Sequence, residues 1–135
     1  MLNRRKNKST LRAQSVVEFA LVLPVLLLII MGIVEFGRIF MTQQIVVNAS
    51  REGARTGVLP SSTTSDVQAI VLNFLTSGGL SGPTSVQTTN VGQSVPAGSA
   101  TSVNVQYTLS LLSGTIIPGL GDTINLSHTT VMRHE

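Results

Sequence analysis

Apolar and polar positions change their rhythm three times along this chain. From Phe19 to Val34 the residues FALVLPVLLLIIMGIV carry no charge, and back to Val16 the run is broken only by Glu18. A helix over 16–34, at about 1.5 Å per residue, covers roughly 28 Å, close to the ~30 Å hydrocarbon thickness of a bilayer. Leu27 to Met31 are apolar on every side of such a helix, more than a chain of 135 residues can cover as a core. The run reads as a transmembrane span. A cleavable secretory signal is the alternative, but Met31-Gly32-Ile33-Val34-Glu35-Phe36 offers bulky residues where a small-x-small site belongs.

Beyond Glu35 the helix is expected to continue to about residue 57. Phe36, Ile39, Phe40, Val46, Val47, Ala49 and Ala54 form a loose apolar stripe, and Glu35 can pair with Arg38 at i, i+3. Arg51, Glu52 and Arg55 read as a solvated, salt-paired face, with subunit docking as the sharper alternative. Gly53 and Gly57 weaken the last turns and Pro60 ends the helix. Residues 58–65 read as a linker. A second helix follows from 66, with Ser65 and Gln68 as a capping box and Asp66 at the positive end. Its apolar face is Val67, Ile70, Val71, Phe74 and Leu75, and Ser77-Gly78-Gly79 stops it.

The third rhythm is strict alternation. Val103, Val105, Tyr107, Leu109 and Leu111 alternate with Ser102, Asn104, Gln106, Thr108 and Ser110, and Ile124, Leu126, His128, Thr130 and Met132 repeat the period. Val86 to Val91 is a weaker third strand. Ile116-Ile117-Pro118-Gly119-Leu120 joins the two better strands and is expected to tuck over the core; contact with lipid or a neighbouring subunit is the alternative. The fold class is α+β: a long N-terminal helix, transmembrane in its first half, then a small exported domain over 66–135 with one short helix and an antiparallel sheet of about three strands. So small a domain would have a marginal core, and is expected to lean on the outer half of the long helix.

Charge fixes the expected direction of insertion. Arg4, Arg5, Lys6, Lys8 and Arg12 supply five of the nine cations, while from Gln14 onward four basic residues face six acidic ones. The basicity is a leader over 1–13, not a folded basic face, which argues against a nucleic-acid partner and makes the bilayer the first partner. Cations before the run and none after it until Arg38 place the N-terminus in the cytoplasm and the rest outside.

Little here resembles catalysis. There is no cysteine, no GxSxG elbow and no phosphate-binding glycine loop. Asp66 and Asp122 lack a carboxylate partner. His128 and His134 could share a strand face but are too few to hold a metal. The reading is no enzyme, no cofactor, no metal and no small-molecule substrate.

Three ordered motifs carry a resemblance: Arg12-Ala13-Gln14-Ser15-Val16-Val17-Glu18-Phe19-Ala20-Leu21-Val22-Leu23-Pro24, then Gly32-Ile33-Val34-Glu35-Phe36-Gly37-Arg38, then Ala49-Ser50-Arg51-Glu52-Gly53-Ala54-Arg55. Together they resemble the TadE family of pseudopilins from tight-adherence (Flp-type) pilus systems, most strongly over 12–57; the ending Val131-Met132-Arg133-His134-Glu135 is also similar. The resemblance implies a minor pilin of the bacterial inner membrane whose partners are a prepilin peptidase, other pilins and the secretion components of the tight-adherence system. It implies a cut between Ala13 and Gln14, four residues before Glu18-Phe19, although glycine rather than alanine usually precedes such a cut. Glu18 would then meet the freed α-amino group of a neighbouring subunit; read from the residues alone, it is a carboxylate near the cytoplasmic interface that can reach headgroups. An uncut, permanently anchored assembly or binding factor is the other reading.

Overall fold

The protein is described by a computed structural model covering residues 8–92, 95–96, 98–112, 114 and 121–134, with 8–12 described by their backbone alone. The apolar run and the residues on either side of it form one helix, α1 (Lys8–Gly57), with Pro24 inside it. The chain divides into two compact units, one ending at Val34 and the other running from Glu35 to Glu135.

In the first unit the described side chains from Ala13 to Val34 are exposed, Met31 alone being half-buried. Leu21 is 72 % exposed and Ile33 68 %. By length and composition this is the one helix, among the described residues, able to cross a membrane.

The second unit is built from the outer part of α1, a second helix α2 (Thr64–Ser77) and three strands, β1 (Thr84–Thr89), β2 (Ala100–Ser110) and β3 (Thr123–Arg133). The strands form an antiparallel meander in the order β1-β2-β3, with Val86 opposite Val105 and Val105 opposite His128. Alternation holds in β2, where Thr101, Val103, Val105, Tyr107 and Leu109 are buried. These join Leu126 of β3, Val67, Val71 and Leu75 of α2, and Val46, Ala49 and Ala54 of α1 in one core. The outer half of α1 is therefore a wall of the domain, as a small sheet with one apolar face requires.

Several local expectations are corrected. α2 begins at Thr64, inside the expected linker, and its capping box is Thr63 with Asp66, not Ser65 with Gln68. Asp66 takes the third helical position, where its carboxylate accepts from Thr63 N–H at 2.9 Å while Thr63 Oγ1 accepts from Asp66 N–H at 3.3 Å. Phe74 is exposed rather than buried, lying at the edge of the face that Val67, Val71 and Leu75 define. The helix stops as expected at Gly78-Gly79: Leu80 N–H reaches Leu75 O and Gly79 N–H reaches Thr76 O, with Gly79 at φ +81°, a Schellman close. On α1 the buried stripe is Val46, Ala49, Ser50 and Ala54, whereas Phe36 and Phe40 are exposed. β1 begins and ends two residues earlier than Val86 to Val91. The apolar loop Ile116 to Leu120 lies outside the described residues.

Gly53 and Gly57 serve packing. A Cβ on Gly53 would lie 2.6 Å from Val71 Cγ2, and one on Gly57 2.8 Å from Thr101 Cγ2. Only a bare backbone lets α1 pass this closely over α2 and β2.

Candidate functional site

The expected site residues all lie on α1, and the helix gives each a different environment. Ala13 and Gln14 sit in continuous helix, exposed. Glu18 is also exposed, one turn further on, and its Oε1 accepts from Gln14 Nε2 at 3.5 Å, a loose i, i+4 contact. Phe19 is 61 % exposed. Glu18 is thus available on the helix surface, within an otherwise apolar stretch.

Glu35 behaves differently. It is one of the few buried acidic or polar residues among those described, at 7 % exposure, and both its oxygens accept from Leu112 N–H at 3.2 Å. Arg38 Nη1 approaches Oε1 at 3.4 Å, realising the expected i, i+3 pair. The carboxylate therefore satisfies the second backbone N–H past β2, and the guanidinium offsets its charge. A buried carboxylate without such partners would be costly.

Arg51 and Arg55 are exposed and Glu52 is half-buried; among the described residues no ion pair joins the three. Arg51 and Arg55 are four apart, so their cations share one solvent-facing side of α1. The expected salt pairing is thus absent among the described residues, and of the three only Arg51 and Arg55 are exposed.

A second polar cluster was not anticipated. Ser50 is fully buried, and its Oγ lies 2.8 Å from Val47 O, from His128 Nδ1 and from Thr130 Oγ1. Val47 O can only accept, so the Ser50 hydroxyl donates to it. The two lone pairs of Oγ then accept, which assigns a proton to His128 Nδ1 and the Thr130 hydroxyl hydrogen to Ser50. The signal was present in the sequence as two polar residues, His128 and Thr130, in the inward row of β3. A third cluster ties the end of the chain to the β1–β2 connection: the Thr101 hydroxyl donates to Asn90 O at 2.6 Å and contacts His134 Nε2.

None of these clusters is built for catalysis. The Ser50 hydroxyl is enclosed, and among the described residues no group of three metal-ligating side chains forms. Two shallow grooves of about 280 Å³ occur in the second unit, one beside Arg38, Ile45 and Tyr107 and one beside Pro83, Gln106 and Asn125.

Residues 13–55 match the family described as TadE-like protein. Over this segment the chain is similar to that family. The match takes in the expected site residues of α1, Ala13 through Arg55, and stops before α2 and the sheet. No curated protein and no solved structure matches the chain. This match supports a role in assembly of bacterial Flp/Tad pili, with pilins and secretion components as the general class of partners. Together with the exposed apolar first part of α1, it points to association with the membrane.

Proposed function

We propose that the protein is a pseudopilin of a tight-adherence pilus, a minor pilin held in the bacterial inner membrane by residues 16–34. The observation that carries this reading is that the TadE-like match falls on one continuous helix whose first part is exposed and apolar and whose second part is a wall of a folded domain. Large apolar side chains at this exposure need cover, and lipid supplies it over a length that fits a bilayer. The five cations before Ala13 hold the N-terminus in the cytoplasm, and the unit from Glu35 onward is exported.

In this reading a prepilin peptidase cuts between Ala13 and Gln14, and the Gln14 α-amino group of one subunit meets Glu18 of its neighbour. The pair offsets two charges that would each be costly near lipid. Phe19 packs beside it, and Arg51 and Arg55 offer a cationic docking face to other subunits. Intact-mass spectrometry of the membrane-bound protein tests the cut: loss of residues 1–13, with Gln14 at the new start, supports a pseudopilin. An unshortened chain together with normal pilus assembly would exclude it.

A second reading is an uncut, anchored assembly factor. It is favoured by Ala13 in place of the usual glycine and by the Gln14–Glu18 contact, which engages the carboxylate within its own chain. In that case Glu18→Gln leaves assembly unchanged.

A further inference from the structure

The sheet gives one face to the core and leaves the other to solvent. On the open face stand Ser85, Gln87 and Thr89 of β1, the even positions of β2 and the odd positions of β3. Apart from Ala100, Val131 and Arg133, these are all serine, threonine, asparagine or glutamine. They include no acid and no lysine, whereas a solvated surface ordinarily mixes charges of both signs.

The second of the two shallow grooves, of about 280 Å³, is lined by Pro83, Thr84, Ser85, Gln106, Thr108 and Asn125. Its polar groups are prepared in two ways. Thr108 Oγ1 donates to Asn125 Oδ1 at 2.8 Å, which orients that amide and leaves its Nδ2 with two free donors. Gln106 and Ser85, opposite one another in the register, have no side-chain partner among the described residues. They offer a carbonyl, an NH2 group and a hydroxyl with both roles open. Pro83 adds a ring covered in C–H. Two residues along β2, Asn104 Oδ1 is buried without a partner while its Nδ2 donates to Thr129 Oγ1 at 2.7 Å, so within the chain this face is one donor short.

We propose that this groove binds a neutral sugar chain, with one pyranose ring over Pro83 between Gln106 and Asn125. Each hydroxyl of such a ring donates and accepts, and amides and hydroxyls answer both roles, whereas a carboxylate or a guanidinium answers one. The C–H face of the ring needs an apolar surface, which Pro83 supplies. Sites for drug-sized molecules run from about 300 to 1,000 Å³, so this groove admits one ring and the rest of the chain continues over the sheet. An anionic partner would need cations, and the one cation of this face, Arg133, lies eight residues along β3 from Asn125, roughly 26 Å away. A protein partner would need an apolar centre to its patch, and Val131, the one large apolar side chain of the face, is about 20 Å from Asn125. The inference concerns the second unit alone and does not rest on the membrane reading.

The probes are maltotriose, cellotriose and triacetylchitotriose, titrated into the full chain in micelles of a detergent without a sugar headgroup. A heparin tetrasaccharide is the charged comparison. At least one neutral trisaccharide is expected to bind saturably in the millimolar range and to shift the side-chain NH2 signals of Gln106 and Asn125. Gln106→Ala and Asn125→Ala should each weaken that binding by about fivefold, the loss of one hydrogen bond. Thr108→Val keeps Asn125 but removes the hydroxyl that orients it, and should weaken binding as well. Val131→Ala, on the same face but out of reach, should leave it unchanged. If a groove variant unfolds, Gln106→Glu keeps the size, removes the NH2 donors and is expected to weaken binding in its place. No saturable shift with any of the three sugars would overturn the proposal. So would shifts confined to residues outside the groove, equal binding by the folded groove variants, or a heparin fragment that binds as tightly as the neutral sugars.

Discussion

Both carboxylate oxygens of Glu35 accept from the backbone N–H of Leu112, each at 3.2 Å, across 77 residues of chain. This contact ties the start of the folded unit to the exit of its central strand, and Arg38 completes it at 3.4 Å. Removing the acceptor strands a partly buried N–H and frees the guanidinium. Glu35→Ala is expected to lower stability by about 1–3 kcal/mol and to speed exchange at the Leu112 amide. Glu35→Gln keeps one oxygen and should cost less. Thermal unfolding of the full chain in detergent measures both, and an unchanged transition for Glu35→Ala would remove the staple from the account.

Gly53 and Gly37 make opposite predictions on the same helix. A methyl on Gly53 would sit 2.6 Å from Val71 Cγ2 and 3.2 Å from Val103 Cγ1, while one on Gly37 meets nothing within 4 Å. Overpacking costs about 1–3 kcal/mol, against roughly 1 kcal/mol gained when alanine replaces glycine in a helix. Gly53→Ala is expected to destabilise on balance, because both crowding atoms belong to fully buried valines. Gly37→Ala should be neutral or slightly stabilising. Equal shifts for the two variants in a melt would contradict the close approach.

Ser50 joins α1 to β3 through His128 and Thr130. Ser50→Ala leaves both without their buried partner, and a loss of about 1–3 kcal/mol is expected. The double variant Ser50→Ala, His128→Leu should recover part of it, since an apolar pair leaves fewer polar groups stranded. A double-mutant cycle with no coupling would show that the cluster does not act as a unit.

Asp66 gives the second unit an acid-sensitive point. The hydrogen bonds from the Thr63 hydroxyl and the Thr63 backbone N–H hold its carboxyl below the usual value of 3.8. A carboxylate with a depressed folded-state pKa contributes stability that is present above its unfolded value and lost as pH falls through the folded one. The start of α2 is therefore expected to loosen as pH drops below about 4, read as faster exchange at Val67 and Gln68 after correction for intrinsic rates. Asp66→Asn should flatten that dependence. A wild-type profile identical to that of the variant would show the cap carries no pH sensitivity.

Periodicity made most of this architecture legible. The apolar run over 16–34, the i, i+3, i+4 face of α2 and the period of two in β2 each came from spacing alone, because each element buries one face or none. Errors arose where two residues of one type compete. Thr63 and Ser65 are both fit to cap α2, and the choice fell to the one with a carboxylate three positions later. Phe36 and Phe40 fit an apolar stripe, yet the core took the small side, Ala49, Ser50, Gly53 and Ala54, because α1 lies too close to α2 and β2 for anything larger. Of the site, Glu35 and Arg38 were readable as a local pair. The Leu112 and His128 contacts were not, since spacing along a chain does not disclose what a loop 77 residues away presents.

The central claim is that residues 16–34 cross the inner membrane and that the unit from Glu35 onward lies outside. Protease added to intact spheroplasts carrying a C-terminal epitope after Glu135 tests it most directly. The epitope should be lost before lysis, while a second tag ahead of Met1 on the uncut precursor survives until the membrane is opened. A C-terminal epitope that survives intact spheroplasts and disappears only on lysis would contradict the account.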